Sequence, residues 1–402
     1  MKRLTQLAVV LGISAASAAC FAQVQPAVNT MRQTALSLEQ QGKTEESETA
    51  WRAILKSHPG DPEPYAHLGL LEARQEHYTQ AIGFYRKALS LGPHLASLRM
   101  NLGLALFKNG QLKDAIDVFA PLRKSEPAGS PTAQRLTILI GMSHYGLAQY
   151  AQAAVDLKAA TDRDPKNLSL LLVLAHSYLW SKQFKYVLDV YHQILTINPD
   201  SAEADMLAGE ALDQMKDNTG AREMFRNAVK ANPKEPNAHF GLGYLLWTQK
   251  LYPEAATEFQ AELANDPNHA QSMLYLADAD MQLNQTAAAL PLLKRAQTLD
   301  STLPLTYLDL GIVYSETGRN DDALHQLTKA AKLMPNDVDV HWRLARLYLA
   351  TGKKEEAKLE FDNARRLNRE ADEALYKKIA NGSARHAQAT DAIPSTPANP
   401  EQ

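Results

Sequence analysis

The sequence of 402 residues predicts an all-α solenoid of about ten two-helix repeats, and three periodic features predict it. Prolines recur at Pro59, Pro93 and Pro127, then at Pro165, Pro199, Pro233 and Pro267, and again at Pro335. The step is 34 residues, except for one of 38 before Pro165 and one cycle in which Ser301 replaces the proline. On that period the chain divides into units beginning at Val28, Pro62, Ala96, Gln134, Leu168, Ala202, Pro236, Ala270, Pro304 and Val338. The eighth residue of every unit is small, from Ala35, Gly69 and Gly103 to Gly311 and Ala345. The twenty-fourth is always large and apolar, as in Trp51, Tyr85, Phe119, Phe225, Phe259 and Phe361. A fixed period carried over this many cycles marks a stacked-repeat architecture.

The segment before the first unit has a different character. Met1-Lys2-Arg3 supplies positive charge, Leu7 to Ala19 is apolar and rich in small residues, and a cut after Ala22 leaves Gln23 first. That layout predicts a signal peptide over residues 1–22, too short to span a membrane, followed by a linker over 23–27. The mature protein is therefore expected to be exported, periplasmic or extracellular. Cys20 is the single cysteine, and Ser17-Ala18-Ala19-Cys20 is similar to a bacterial lipoprotein processing site. That similarity implies lipidation at Cys20 and an outer-membrane lipoprotein as the alternative. Removal of Cys20 with the leader would leave no thiol or disulfide chemistry at all.

Each unit reads as two amphipathic helices joined by a tight turn. In the unit from Ala202, Ala208 and Leu212 mark the first helix, while Ala221, Phe225 and Ala228 mark one face of the second. Small residues at places eight and twenty let the paired helices approach closely, and the large residue at twenty-four fills the space beside them. Gly42, Gly110, Gly318 and Gly352 stand where first helices end. The recurring proline closes the second helix by driving the residue before it out of the α region.

This spacing resembles the tetratricopeptide repeat, and the resemblance covers most of the chain. It implies a right-handed superhelix of helix-turn-helix modules. The fourth place, often Trp in that family, is here mixed, with Met31, Tyr65, Asp205 and Tyr307. Two regions depart from the regular frame. Pro121 falls inside a second helix, and Pro127 and Pro131 flank a short insertion, so a kink or hinge is expected over the irregular junction 121–133. After the last unit, residues 372–382 suit a capping helix ended by Asn381-Gly382, and 383–402 have the composition of a disordered tail.

No catalytic constellation emerges from this pattern. Charge is nearly balanced, with 42 Lys+Arg against 45 Asp+Glu, which argues against a nucleic-acid platform. The histidines, among them His144, His176 and His239 on first helices, show no pairing at the spacing that sets two metal ligands on one helical face. Repeats fill the chain from Val28 to about Arg369, leaving no segment for a separate catalytic body. The expectation is a protein that is not an enzyme, with no cofactor and no metal, whose partners are other proteins.

In the resembled family first helices line the inner, concave face. Carried over place by place, that face would hold Ile138, Met142 and Tyr145, then Leu172, His176 and Trp180, then Met206 and Glu210, then Phe240, Tyr244 and Trp247, then Leu274, Asp278 and Met281, and last Leu308 and Ile312. Some relatives clamp a terminal carboxylate with Lys at place five and Asn at place nine. Here those places read Leu172/His176 and Phe240/Tyr244, so the clamp is absent. What remains is an apolar and aromatic groove centred on Trp180, Phe240, Tyr244 and Trp247, suited to an extended or helical polypeptide segment in an envelope scaffold or adaptor. Aromatic grooves also stack sugar rings, and a saccharide- or peptidoglycan-engaging module is the alternative.

Overall fold

The computed structural model describes residues 28–92 and 96–390. The expected signal peptide, Cys20, the linker 23–27 and residues 391–402 lie outside them. Among the described residues there are helices and turns but no strand. They fall into two compact units that divide between Met215 and Lys216. Unit 1 holds α1 (28–40), α2 (Thr44–Ser57), α3 (Pro62–Arg74), α4 (Tyr78–Leu91), α5 (Ala96–Lys108), α6 (Leu112–Ser125), α7 (Pro131–Gly146), α8 (Tyr150–Thr161), α9 (Leu168–Trp180), α10 (Phe184–Ile197) and α11 (Ala202–Gln214). Unit 2 holds α12 (Asn218–Ala231), α13 (Ala238–Thr248), α14 (Tyr252–Asn265), α15 (Ala270–Gln282), α16 (Thr286–Leu299), α17 (Pro304–Glu316), α18 (Asn320–Leu333), α19 (Val338–Ala350) and α20 (Lys354–Thr390). Within each unit consecutive helices pack on one another, the arrangement of an all-α repeat solenoid. None of the described helices is long and apolar enough to cross a membrane.

The two strongest sequence columns meet in space. A Cβ placed on Gly69 would lie 2.6 Å from the ring of Tyr85, one on Gly243 would lie 2.8 Å from Phe259, and one on Gly311 would lie 2.5 Å from Leu327. The small eighth residue is therefore the seat for the large twenty-fourth residue of the same repeat. Trp51, Tyr85, Phe119, Leu157, Phe259 and Leu327 are all buried there. Truncating one such buried aromatic costs about 3–5 kcal/mol, so these repeats carry their own anchors.

The turn after each first helix has one shape throughout. Its central residue is left-handed, with φ of 72° at Gly42, 74° at Gly110, 75° at Gly318 and 79° at Gly352. Six repeats impose the same conformation on other residues: Glu76, Ala148, Lys182, Lys216, Lys250 and Asn284, with φ between 56° and 67°. A non-glycine residue pays roughly 1–2 kcal/mol to sit there, so packing of the helix pair, and not the glycine, dictates the turn.

Most first helices begin where the period places them, and two do not. Helix α7 starts at Pro131, three residues ahead of Gln134, because Ser130 caps it: Ser130 Oγ accepts from the Ala133 N–H at 3.0 Å. The insertion thus lengthens a helix instead of forming only a loop. Helix α13 starts at Ala238, two residues after Pro236, because Asn237 is left-handed at φ 65°.

The irregular junction 121–133 lies wholly inside unit 1. Helix α6 runs through Pro121, with Phe119 before it and Leu122 after it both packed into the same core cluster. At the other end no separate cap follows the last repeat. Helix α20 continues from Lys354 through Asn381-Gly382 to Thr390, so residues 383–390, expected as tail, are helical. The alanines and long polar side chains of this segment are good helix formers, and a single Asn-Gly step does not outweigh them.

Candidate partner-binding faces

In unit 1, the predicted face is built by α7 and α9. Ile138, Met142, Tyr145, Leu172 and His176 are half-buried, and Trp180 is 59% exposed. Tyr150, the first residue of α8, joins them: its ring lies 6.0 Å from Trp180 in a stacked arrangement and 5.7 Å edge-on from Tyr145. Tyr145 meets His176 edge-on at 6.5 Å, and His176 Nε2 lies 3.3 Å from Glu203 Oε1. Burial, then the neighbouring Tyr150 and Glu203, push the Tyr145 hydroxyl above the ordinary tyrosine range. Met206 on α11 does not belong to this surface. It is 7% exposed, so little of it is left for a partner to touch.

In unit 2, the face is built by α13 and α15. Phe240 and Tyr244 stack at 6.2 Å, and Tyr244 and Trp247 at 6.0 Å, so three rings run in series down α13. Tyr275 from α15 touches all three, at 6.0 Å from Phe240, 5.2 Å from Tyr244 and 5.0 Å from Trp247. Beneath them the buried Phe259 of α14 contacts Phe240 at 6.1 Å and Tyr275 at 5.9 Å. The Trp247 indole N–H donates to Asp278 Oδ2, which fixes the plane of the ring. Burial, followed by the charges of Tyr244, Asp278 and Asp309, pushes the Tyr275 hydroxyl up to about 12.

The start of α13 explains how Phe240 is held. Asn237 gives no side-chain cap. Instead Glu262, which is 2% exposed on α14, reaches back and accepts from two backbone N–H groups, Asn237 and Phe240, each at 3.1 Å. A carboxylate at a helix N-terminus satisfies orphan donors and suits the helix dipole. The first ring of the aromatic series is thus pinned through its own backbone.

Beyond Trp247 the face opens into a cleft of about 360 Å³. Its walls include Trp247, Tyr275, Met281 and Ile312, with the buried Leu274 and Leu308 among the lining residues. Leu274, 2% exposed, is wall and not ligand contact surface, contrary to its expected place as a docking residue. The same cleft is lined by Asp278, Asp309, Glu316, Asp339 and Arg343. Among the described residues no group of three His, Cys, Asp or Glu side chains is placed to hold a metal.

Trp180 belongs to unit 1, whereas Phe240, Tyr244 and Trp247 belong to unit 2. Sequence reasoning also passed over Tyr150, Tyr275, Asp309, Arg343 and Glu262. A signal for three of them was present. Tyr275, Asp309 and Arg343 occupy the sixth place of successive units, after Gly241, and that column was not among those carried over. Glu262 left no such trace.

Comparisons with known proteins agree with the repeat frame. One profile of the tetratricopeptide repeat matches residues 32–96, 206–270 and 252–304, and a second matches 72–137, 145–211 and 314–381. Anaphase-promoting complex subunit 3 of Schizosaccharomyces pombe is 20% identical over 280 residues, which is 70% of this chain and 42% of that protein. Cellulose synthase operon protein C of Pseudomonas fluorescens is 24% identical over 303 residues, 69% of this chain and 23% of that protein. The chain spans less than two thirds of the length of these relatives. A solved tetratricopeptide repeat protein from Parabacteroides merdae aligns with a TM-score of 0.48 at 19% identity, covering 63% of this chain and 98% of that one.

Proposed function

This chain belongs to the tetratricopeptide-repeat family, and from that premise we propose that it is a non-catalytic scaffold of the bacterial cell envelope. Its repeats make it a protein–protein interaction scaffold; the envelope location, the absence of catalysis and the docking face are this proposal. The partner presents an extended or helical segment, and its apolar side chains lie against Phe240, Tyr244, Trp247 and Tyr275. The observation that carries this reading is the continuous aromatic series of unit 2, held rigid from behind by Phe259 and from its helix start by Glu262. Rigid aromatic groups contribute binding energy at low entropic cost, which is why Trp and Tyr dominate interface anchors.

Export rests on the leader pattern of residues 1–22, with Cys20 as the alternative lipid attachment point. Mass spectrometry of the protein purified from cells decides between them. A mature chain starting at Gln23, or a diacylated Cys20, supports the envelope reading, and an intact Met1 contradicts it.

The binding test uses the full chain as bait in envelope extract. A stoichiometric protein partner is expected. Tyr244→Ala should weaken its capture by ~2 kcal/mol, about 30-fold, in a variant that urea unfolding shows to be folded. The saccharide alternative has its own support in the exposed Trp180 stacked on Tyr150, a flat apolar surface of the kind that meets a sugar ring. Retention on purified peptidoglycan that is lost in Trp180→Ala, with no protein partner, would replace the scaffold reading by that one.

A further inference from the structure

The cleft beside Trp247 is lined by apolar and aromatic side chains together with acidic ones. Four carboxylates, Asp278, Asp309, Glu316 and Asp339, line it against a single guanidinium, Arg343. Three of the four are accounted for by solvent or by neighbours. Asp278 accepts from the Trp247 indole, Asp339 Oδ2 accepts from Arg343 Nε at 2.7 Å, and Glu316 is exposed. Asp309 is different. It is 6% exposed, yet among the described residues its carboxylate accepts no hydrogen bond and lies in no ion pair. Arg343 is close enough to act on it electrostatically but spends its short contact on Asp339.

A buried carboxylate with no partner is costly, and the cost is relieved by whatever cation completes it. Burial and the adjacent Asp278 already hold Asp309 well above the ordinary carboxylate range. Trp247 and Tyr275 line the same cleft, and their rings lie 5.0 Å apart at an angle of 67°. Aromatic faces attract a cation and pack against the methylenes that carry it. Lysine and arginine side chains have that composition: an apolar stem and a charged head.

We propose that this cleft receives a lysine or arginine side chain of an extended partner segment, whose flanking apolar residues lie on the aromatic series of α13. The proposal rests on the reading of unit 2 as the docking face and adds the chemistry that selects the partner. The excess of carboxylates over cations in the cleft sets the sign of the charge, and the depth of Asp309 sets the length of the side chain. A chain with an acidic or purely apolar segment leaves Asp309 unanswered.

The test titrates the full chain with short acetylated, amidated leucine/serine peptides that differ only at the central residue: arginine, lysine, norleucine or glutamate. The arginine and lysine peptides are expected to bind at least about tenfold more tightly than the norleucine peptide, with the glutamate peptide weakest. Asp309→Asn should bring the arginine peptide down to the norleucine level while leaving norleucine unchanged. Should that variant fail to fold, Asp278→Asn, which keeps an acceptor for the Trp247 indole, is expected to reduce the same preference. Norleucine binding as tightly as arginine overturns the proposal, as does an unchanged preference in these variants, or no binding by any peptide. The two readings fail separately. Capture of a protein partner that depends on Tyr244 but is indifferent to Asp309→Asn keeps the scaffold and removes the cation site.

Discussion

The aromatic faces of the two units share one place of the repeat, that of Tyr145 and Trp247, and are built to different standards. In unit 1, Tyr145, Tyr150 and Trp180 touch in a chain of pairwise contacts, and its last ring, Trp180, stands 59% in solvent. In unit 2, Tyr275 binds Phe240, Tyr244 and Trp247 into one body, Phe259 backs it, and Glu262 pins its first residue by the backbone. A repeat frame decides which places face outward. The neighbouring repeat decides whether those side chains form a preorganised surface or a loose one. The energetic consequence is that unit 1 spends little stability on its rings, whereas the face of unit 2 is continuous with the core.

That contrast can be broken most forcefully beneath the rings. Phe259→Ala should destabilise unit 2 by about 3–5 kcal/mol, whereas Trp180→Ala should stay within about 0.5 kcal/mol, both read by urea unfolding. Equal losses would mean that the two faces are built alike. Next is the backbone pin. Glu262→Ala leaves the N–H groups of Asn237 and Phe240 unanswered and should cost ~2 kcal/mol, with Glu262→Gln recovering part of it. A neutral result would show that α13 does not need its borrowed cap.

A smaller effect of opposite sign belongs to unit 1. Ala148→Gly relieves the left-handed turn just before Tyr150 and should stabilise the chain by about 1 kcal/mol in thermal or urea unfolding. Destabilisation there would mean that the turn, and not the packing of α7 on α8, carries the constraint. The most conditional prediction concerns pH. Asp309 is raised by burial, so the folded state prefers its protonated form. Its contribution is fully present below the ordinary carboxylate range and is lost as pH rises through the raised value. Asp309→Asn should therefore melt higher than the parent at neutral pH, and the difference should close on acidification. A gap that does not change with pH would remove the assignment.

Much of the architecture was legible because the repeat writes the same packing problem again and again. The pairing of Gly69 with Tyr85, or Gly243 with Phe259, is a steric identity visible as two columns. The burial of Met206 and Leu274 was less legible, since burial of a first-helix residue depends on the neighbour that covers it. Contacts that break the period were not legible. Glu262 caps a helix that precedes its own, and Ser130 lengthens α7 into the insertion, so neither follows from column content. The run of α20 through Asn381-Gly382 shows the converse error, in which a local stop signal was given more weight than the helix formers around it.

The central claim is that a partner polypeptide docks on the aromatic series of unit 2. Site-specific photo-crosslinking in intact cells tests it most directly, with the reactive residue placed at Tyr244 and, as control, at Leu359, which is 62% exposed on α20 of the same unit. A discrete crosslinked polypeptide from the Tyr244 position and none from Leu359 is the predicted result. Crosslinks from Leu359 alone, or equally from both positions, would contradict the account.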